Sequence, residues 1–421
     1  MATQRRLLNS PLDAVYTPTA CPISGGLGDM LRVVDLFCGA GGLSFGFELA
    51  GFKVVAAVDS DPVAGATYRL QNPNVPLFTE DVRNLKGKQL LEAAGGPVDL
   101  VIGGPSCQGF STHGKRDAND PRNFLFKEFV RLVKEVRPSW VVMENVKGML
   151  TYDRGRYRDE IHASFRRIGY RVESRVLRAA DFGVPQFRER LFFIATNTDL
   201  PITFPAPTHC SPDVAPMLGL LPFVTVRDAL GDLAAIGDEG ESVEYSSAPT
   251  SEFQKFVRGN APKRLSLHRA RRVSDLAMSI ITKVPEGSGI RAIPQAKLPA
   301  RFRRMRRIST GALRKDCTTL YYRLSWAKPS YTITCYFTNV SSGPFVHPAE
   351  NRSLTPREAA RLQSFPDRYR FVDKQVQRQI GNAVPPLLAR AVAQEIVAKF
   401  EMFDDQSSEK EAARPPSAIT A

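Results

Sequence analysis

Residues Leu31–Phe52, "LRVVDLFCGAGGLSFGFELAGF", carry the clearest indication of the fold. It opens with a short apolar run, which is typical of a strand buried on both faces of a parallel sheet. Gly39, Gly41 and Gly42 interrupt that run, and apolar residues at helical spacing follow them. A strand, a tight glycine turn and a helix in succession predict the first unit of a doubly wound α/β fold.

The same alternation continues to about residue 200. Further strands are predicted at "KVVAAVD", "VPLFTEDV", "VDLVIGGP", "SWVVMENV" and "RERLFFIAT". Helical patterns lie between them; one is opened by Asp61 and Pro62, and an amphipathic one is stopped by Pro138. Alternating strands and helices imply βαβ units, so we predict a mostly parallel, Rossmann-like sheet within residues 30–200.

The regular rhythm breaks near Pro201. Residues 201–319 are Pro-rich, basic and weakly periodic, which predicts a smaller, irregular domain. Order returns over 320–403, where a capped helix "TPREAARLQSF" and a final helix "PPLLARAVAQEIVAKF" are expected. The composition of residues 1–29 predicts a flexible arm, and that of residues 404–421 a disordered tail.

Positive charge is concentrated in one segment. The formal net charge is +14, and residues 263–315 hold 15 Lys and Arg against two acids. Such a run can be a solvated face, but an excess gathered into one stretch favours a polyanionic partner, with nucleic acid as the first candidate.

The six cysteines show neither close pairing nor a CxxC spacing; they are Cys21, Cys38, Cys107, Cys210, Cys317 and Cys335. The pattern therefore predicts no disulfide framework and no metal site, and it leaves single thiols available for chemistry. No apolar stretch has the length of a membrane helix, and the N-terminus lacks a secretory signal, so we expect a cytoplasmic protein.

The residues that indicate chemistry lie at predicted strand ends, where ligands bind in such sheets. Gly39, Gly41 and Gly42 follow strand one, Asp59 ends strand two, and Asp81 ends strand three. Glycines allow close backbone approach and the acids can accept from hydroxyl or amino groups, which predicts a nucleoside-type pocket. A dinucleotide-binding dehydrogenase is the alternative; however, Ser44 occupies the place of the third glycine, and an adenosyl cofactor without pyrophosphate fits better.

A lone cysteine and a carboxyl follow the next two strands. Cys107 lies in "GGPSCQGFS" after strand four, and Glu144 lies in "ENV" at the end of strand five. A deprotonated thiol is a strong nucleophile, and a facing carboxyl can act on a ring nitrogen of a substrate. In the alternative interpretation, Cys107 is merely small and Glu144 caps the next helix. Arg188 and Arg190 lie two residues apart and can donate to a carbonyl or phosphate, or form a surface pair.

Together these motifs resemble the cytosine-C5 DNA methyltransferases, in the compact, stand-alone form found in prokaryotes. The matching stretches are "DLFCGAGGLSFG", "GGPSCQGFS", "ENVKGML", "QFRERLFFIA", "RLSWAKPSYTIT", "LTPREAARLQSFPD" and "QIGNAVPP". They occur in the family's order and span about residues 31–400. The resemblance implies a fold of the S-adenosylmethionine-dependent methyltransferase type, with residues 30–200 as the first part of the catalytic and cofactor-binding domain and residues 201–319 as the target-recognition domain. Residues 320–403 would hold the remainder of the recognition region and the C-terminal helix that returns to the catalytic domain.

The resemblance also implies the reaction and its residues. Cys107 would attack C6 of a flipped cytosine, Glu144 would engage N3 and the exocyclic amine, Arg190 the O2 carbonyl, and Arg188 would support the loop. S-adenosyl-L-methionine would occupy the cofactor pocket, formed by Phe37, Gly39, Gly41, Gly42, Asp59, Asp81 and Asn382. The implied partner is double-stranded DNA, with a cognate restriction endonuclease as a further candidate, and we expect a monomer without a bound metal.

One position departs from the family's pattern. The residue before the nucleophile is usually proline, but here it is Ser106, which keeps an N–H and allows a wider range of φ. Two related functions stay open: a tRNA cytosine-5 methyltransferase, and a catalytically silent DNA-binding relative. The long basic segment favours duplex DNA, and the presence of Cys107, Glu144, Arg188 and Arg190 together favours an active enzyme.

Overall fold

The computed structural model describes residues 15–16, 30–106, 124–259, 261, 264–303 and 319–412 of the 421-residue chain. Cys107, the predicted nucleophile, lies outside the described residues. So do Cys21, Cys317 and the basic run 304–318. The strand ends that flank the predicted site are all described.

Seven strands form the central sheet: β1 (Arg32–Leu36), β2 (Lys53–Val58), β3 (Leu77–Phe78), β4 (Leu100–Gly103), β5 (Trp140–Val146), β6 (Arg171–Arg178) and β8 (Glu189–Thr196), with the short β7 (Gln186–Phe187) before the last. Their order is β3-β2-β1-β4-β5-β8-β6. Strands β1 to β5 pair in parallel, and β8 is antiparallel to both of its neighbours. The predicted mostly parallel, Rossmann-like sheet is confirmed.

Helices cover both faces of this sheet: α1 (Gly42–Leu49), α2 (Pro62–Gln71), α3 (Gly87–Ala94), α4 (Leu125–Val136) and α5 (Arg156–Arg167). Successive β1 residues point to opposite faces, since Val33 packs in a cluster with Phe47 of α1, and Val34 in a cluster with Phe129 of α4. Burial on both faces explains why the strands are continuous apolar runs.

The ends of the helices follow the expected capping chemistry. Asp61 Oδ1 accepts a 2.9 Å hydrogen bond from the Val63 amide and so caps α2. Helix α4 ends at Val136; the next residue, Arg137, has a left-handed φ of 59° and directly precedes Pro138. Both predicted boundaries are confirmed.

The second half of the chain contains short elements: β9 (His209–Cys210), α6 (Ala215–Leu218), β10 (Leu221–Pro222), α7 (Val226–Leu230), α8 (Glu252–Arg258), α9 (Asp275–Ile281), α10 (Ala300–Arg303), β11 (Ser330–Tyr331), α11 (Pro356–Leu362), α12 (Val376–Asn382) and α13 (Pro386–Ala412). Apolar residues from Phe204 to Leu265 belong to the hydrophobic cluster of α1, whereas Val273 to Phe302 form a separate cluster with Tyr321, Val340 and Val346. The sequence interval 201–319 therefore contributes to two cores, and its assignment to one recognition domain stays a prediction.

The two predicted C-terminal helices are present as α11 and α13. Thr355 and Glu358 form a reciprocal capping box at the start of α11, with hydrogen bonds of 2.8 and 3.1 Å. Helix α13 returns to the sheet and packs on α1, where a Cβ on Gly46 would overlap the Cβ of Ala389. This helix extends to Ala412, and the disordered tail over 404–421 stays a prediction.

Two residues of the predicted flexible arm are described, and both are docked. Val15 is buried, and the ring of Tyr16 packs against Phe253 and Phe256 of α8. The buried guanidinium of Arg390 in α13 donates to the Val15 carbonyl. At this point the arm is held against the folded chain. Among the described helices, none combines the length and apolar character needed to cross a membrane.

Candidate active site

The centre of the site is an ion pair between two neighbouring strand ends. Arg190 Nε lies 2.8 Å from Glu144 Oε1, and the side chains are 14% and 12% exposed. The antiparallel pairing of β5 with β8 produces this contact. Arg190 lies opposite Val146, and Glu144 is two residues from Val146, on the same face of the sheet. On the other side, a Cβ added to Gly104 would lie 3.0 Å from Glu144 Oε2. The carboxylate is therefore held between Arg190 and the segment that leads to Cys107.

The surroundings of Glu144 give its carboxyl an unusual proton affinity. Burial raises the pKa of Glu144 above its ordinary value, and the positive charges of Arg190 and Arg188 oppose that shift. The net direction is upward, so the carboxyl holds its proton at a higher pH than an exposed glutamate. Such a group can donate a proton or hydrogen bond to a ring nitrogen.

Arg188 and Arg190, predicted as a pair, contact different groups. The Arg188 guanidinium is fully buried and donates to the carbonyls of Ile333, Gly381 and Ala383, at 2.9, 3.0 and 3.0 Å. It thus connects the residue before β8 to the last turn of α12 and to Ala383, which follows that helix. Of the two arginines, Arg190 pairs with the Glu144 carboxylate, whereas Arg188 binds backbone carbonyls around the site.

The segment that leads to Cys107 is held by contacts as far as Pro105. Gly103 ends β4 against β1, and a side chain there would overlap the Leu36 carbonyl. The buried Asn145, next to Glu144, donates a 3.4 Å hydrogen bond to the Pro105 carbonyl. Pro105 and Asn145 therefore hold the base of the loop, two residues before the predicted nucleophile.

The predicted cofactor turn has the conformation that its glycines suggested. Phe37, Gly39 and Gly41 have φ values of 64°, 55° and 88°, in the left-handed region. The Gly39 amide donates to Asp59 Oδ2 at 2.7 Å, and the Asp61 amide donates to Asp59 Oδ1 at 2.7 Å. Burial raises the pKa of Asp59, and these two amides oppose the shift. The structure brings strand ends one and two together as expected.

The three glycines of this turn have different surroundings. Among the described residues, a Cβ added to Gly39 would meet no atom within 4 Å, so this residue borders open space in that part of the chain. A Cβ on Gly41 would lie 2.6 Å from the Tyr369 hydroxyl, and one on Gly42 would overlap the Val384 carbonyl. Gly39 therefore faces the space where a ligand can lie, and the other two are packed against protein.

Asp81 and Asn382 lie at the edges of this region. Asp81 caps a short turn and is bridged to Arg83 by hydrogen bonds of 2.9 and 2.5 Å, which lower its pKa. Asn382 is exposed at the end of α12, and the next residue, Ala383, would contact a Cβ on Gly42 at 3.2 Å. Their predicted roles in binding a cofactor stay predictions.

Comparison with known proteins identifies the family. The C-5 cytosine-specific DNA methylase family matches residues 31–398. Type II methyltransferase M.DdeI of Desulfomicrobium norvegicum is 36% identical over 88% of this chain and 89% of its own length. Type II methyltransferase M1.HphI of Haemophilus parahaemolyticus is 39% identical over 87% of each chain.

The chain belongs to the C-5 cytosine-specific DNA methylase family. It is a DNA cytosine-5 methyltransferase, as the resemblance implied. A crystal structure of a candidate DNA modification methyltransferase from an E. coli prophage agrees with the fold: its TM-score is 0.68 at 27% identity, over 88% of this chain and 99% of that one. The dehydrogenase alternative is thereby excluded.

Sequence reasoning missed a buried polar cluster beneath the cofactor turn of this methyltransferase. Asp35 of β1 is fully buried, and Ser44 donates to its Oδ2 at 2.5 Å. The Ser44 hydroxyl also lies 3.1 Å from that of Tyr68. Burial raises the pKa of Asp35 to about 8. The signal was present in the sequence, since an acid inside an apolar strand run is rarely buried without a partner.

Two of the described cysteines are half-buried and one is buried. Cys38 lies beneath the cofactor turn, and burial raises its pKa, so it is a poor nucleophile. Cys210 and Cys335 are half-buried. Within the described part of this methyltransferase, no cluster of three or more His, Cys, Asp or Glu residues could hold a metal ion.

Proposed function

We propose that the enzyme transfers a methyl group from S-adenosylmethionine to C5 of a cytosine flipped out of a specific duplex sequence, through a covalent bond to Cys107. The observation that carries the proposal is the 2.8 Å Glu144–Arg190 pair beside Gly104, three residues before Cys107. A thiol on this loop and a carboxyl of raised pKa would act on neighbouring atoms of one ring.

The chemistry explains why both groups are needed. C5 of cytosine is a poor nucleophile toward a sulfonium methyl group. When the Cys107 thiolate adds to C6 and Glu144 protonates N3, the ring becomes an enamine with electron density at C5. After C5 has taken the methyl group, a base removes its proton, the thiolate leaves C6, and N3 gives up its proton.

Arg190 and Glu144 would also bind the base in position. The guanidinium can donate to the O2 carbonyl of cytosine, and Glu144 can accept from the exocyclic amine. These groups are out of reach inside a duplex, so the base must be extruded, which costs a few kcal/mol. Phosphate contacts from the basic segment 263–315 can offset that cost; Arg271 and Arg272 of this segment are exposed.

The residues of the glycine turn fit an adenosyl cofactor. Gly39 borders open space, Phe37 offers a half-buried ring beside it, and Asp59 keeps acceptor capacity for ribose hydroxyls next to the turn. Asp81 and Asn382 would complete the pocket. When bound, S-adenosylmethionine would supply the methyl group, and Phe37, Gly39 and Asp59 would hold it.

The relatives suggest the biological setting. Because they are Type II methyltransferases, we include in the proposal that this enzyme modifies double-stranded DNA as a monomer beside a cognate restriction endonuclease. The family favours DNA over tRNA as the substrate. Residues 201–319 would contain the contacts that select the sequence.

A matched pair of cysteine variants tests the proposal. With labelled S-adenosylmethionine and duplex DNA, Cys107→Ala is expected to abolish methyl transfer, whereas Cys210→Ala, at a half-buried thiol in β9, retains it. Parallel reactions with tRNA should give no product. Full activity of Cys107→Ala would overturn the mechanism, and methylation of tRNA alone would overturn the substrate.

A further inference from the structure

A tyrosine from the C-terminal part of the chain holds the cofactor turn by its backbone. The Tyr369 hydroxyl donates a 2.6 Å hydrogen bond to the carbonyl of Ala40, 329 residues away in the sequence. The same oxygen would lie 2.6 Å from a Cβ on Gly41. The hydroxyl therefore lies directly against the turn, between the two glycines with left-handed φ.

The ring of Tyr369 is itself fixed by aromatic packing. Its centroid lies 4.7 Å from that of Phe365, 5.2 Å from Phe371 and 5.3 Å from Phe45. Tyr369 is buried, and its position is set by these rings as well as by its hydrogen bond. Because the ring is fixed, its hydroxyl has a defined position and restrains the Ala40 carbonyl to which it is hydrogen-bonded.

The segment around Tyr369 is also tied to the other wall of the pocket. The Thr67 hydroxyl in α2 donates to Gln379 Oε1 at 2.5 Å and accepts from the Val372 amide at 2.8 Å. Gln71, also in α2, donates to the Arg370 carbonyl at 2.7 Å. Residues 369–379 therefore contact both the turn after β1 and α2, the helix that begins three residues after Asp59.

We propose that Tyr369 is a positioning residue for the cofactor: its hydroxyl holds the turn at residues 39–42 in the conformation that admits S-adenosylmethionine. The inference rests on the proposed function. Gly39 and Gly41 have left-handed φ values, which glycine can leave as readily as it adopts them, and the Tyr369 hydroxyl restrains this freedom. Cofactor affinity thus depends on a residue outside the glycine motif.

The test compares two Tyr→Phe variants that each lose one buried hydroxyl. Tyr369→Phe removes the bond to Ala40. Tyr170→Phe, the control, removes a 2.5 Å bond to the Pro138 carbonyl at the start of β5, the end of the sheet away from the Glu144 site. In the full-length enzyme we would measure KM for S-adenosylmethionine, KM for duplex DNA, kcat, the Kd of S-adenosylhomocysteine by calorimetry, and Tm.

The expected results separate positioning from stability. Tyr369→Phe should raise KM for S-adenosylmethionine and the Kd of S-adenosylhomocysteine by roughly three- to tenfold, with KM for DNA and kcat nearly unchanged. Tyr170→Phe should lower only Tm. Equal losses of Tm in both variants with unchanged cofactor constants would overturn the inference alone. A wild-type enzyme that binds no S-adenosylhomocysteine would overturn the proposed function and the inference with it.

Discussion

Arg188 donates a 3.0 Å hydrogen bond to the carbonyl of Gly381, although the two residues are 193 positions apart in the sequence. The same guanidinium also holds the carbonyls of Ile333 and Ala383. One buried side chain therefore joins the strand that carries Arg190 to the loop beside the cofactor turn. This contact separates the roles of two arginines that look equivalent in the sequence.

Replacing Arg188 by lysine should lower stability, whereas replacing Arg190 by lysine should lower the reaction rate. Arg188→Lys leaves buried carbonyls without their donors and is expected to lower the free energy of unfolding by about 2–4 kcal/mol. Arg190→Lys should leave stability nearly unchanged but lower kcat on the order of 100-fold, because an ammonium lacks the planar donor fork. Urea unfolding and methylation rates check both. Equal stability losses in the two variants would contradict this division.

Glu144→Gln tests the carboxyl as a proton donor. Glutamine can still form hydrogen bonds but cannot protonate N3, so kcat should fall by roughly 10²–10⁴-fold. Glu189→Gln is the matched control. Glu189 is an exposed carboxylate that pairs with Lys147, three residues after Glu144, so its replacement should change kcat less than about twofold. The idea fails if both variants keep wild-type rates under single-turnover conditions.

Gly46→Ala tests the packing of α13 on α1. The new Cβ would overlap that of Ala389 and lie 2.5 Å from the Pro386 carbonyl, so the free energy of unfolding should fall by about 1–3 kcal/mol. Gly65→Ala in α2 is the control: its nearest neighbour would be 3.4 Å away, and it should stabilise the helix by about 0.5–1 kcal/mol. Chemical denaturation of both variants checks the prediction; a tolerated Gly46→Ala would contradict the observed contact.

The buried acid beneath the cofactor turn predicts a pH dependence of stability. In the folded enzyme the pKa of Asp35 is about 8, against an ordinary value of 3.8. Because the folded state binds this proton more tightly, the stabilisation it contributes is complete below about pH 4 and is lost as pH rises to about 8. Asp35→Asn stays neutral and should gain stability relative to wild type between pH 5.5 and pH 9. If the free energy of unfolding of Asp35→Asn and of wild type changed equally with pH in urea unfolding, the raised pKa would not belong to Asp35.

The elements that the sequence predicted well are those set by local patterns. Buried parallel strands are short apolar runs, Asp61 caps the helix that it precedes, and Thr355 with Glu358 forms a capping box. Strand β6 was missed because it is an edge strand with exposed Arg171, Glu173 and Arg175, so no apolar run marks it.

The contacts that organise the site depend on long-range packing, which local patterns do not contain. The two-residue spacing suggested that Arg188 and Arg190 act as a pair, but β8 begins only at Glu189. Arg188 lies before that strand, and its guanidinium binds backbone carbonyls. The bond from Tyr369 to Ala40 joins distant parts of the chain. In contrast, the expectation that functional residues gather at the ends of the parallel strands did predict that Glu144 lies beside the segment before Cys107.

The most direct test of the central claim is mass spectrometry of the enzyme after reaction with S-adenosylmethionine and a cognate duplex containing 5-fluorocytosine. Fluorine at C5 blocks the final loss of a proton, so the enzyme should remain attached to DNA, with the linkage mapped to Cys107. Methylated product from ordinary duplex without any adduct on the fluorinated one, or a linkage mapped to another residue, would contradict the mechanism.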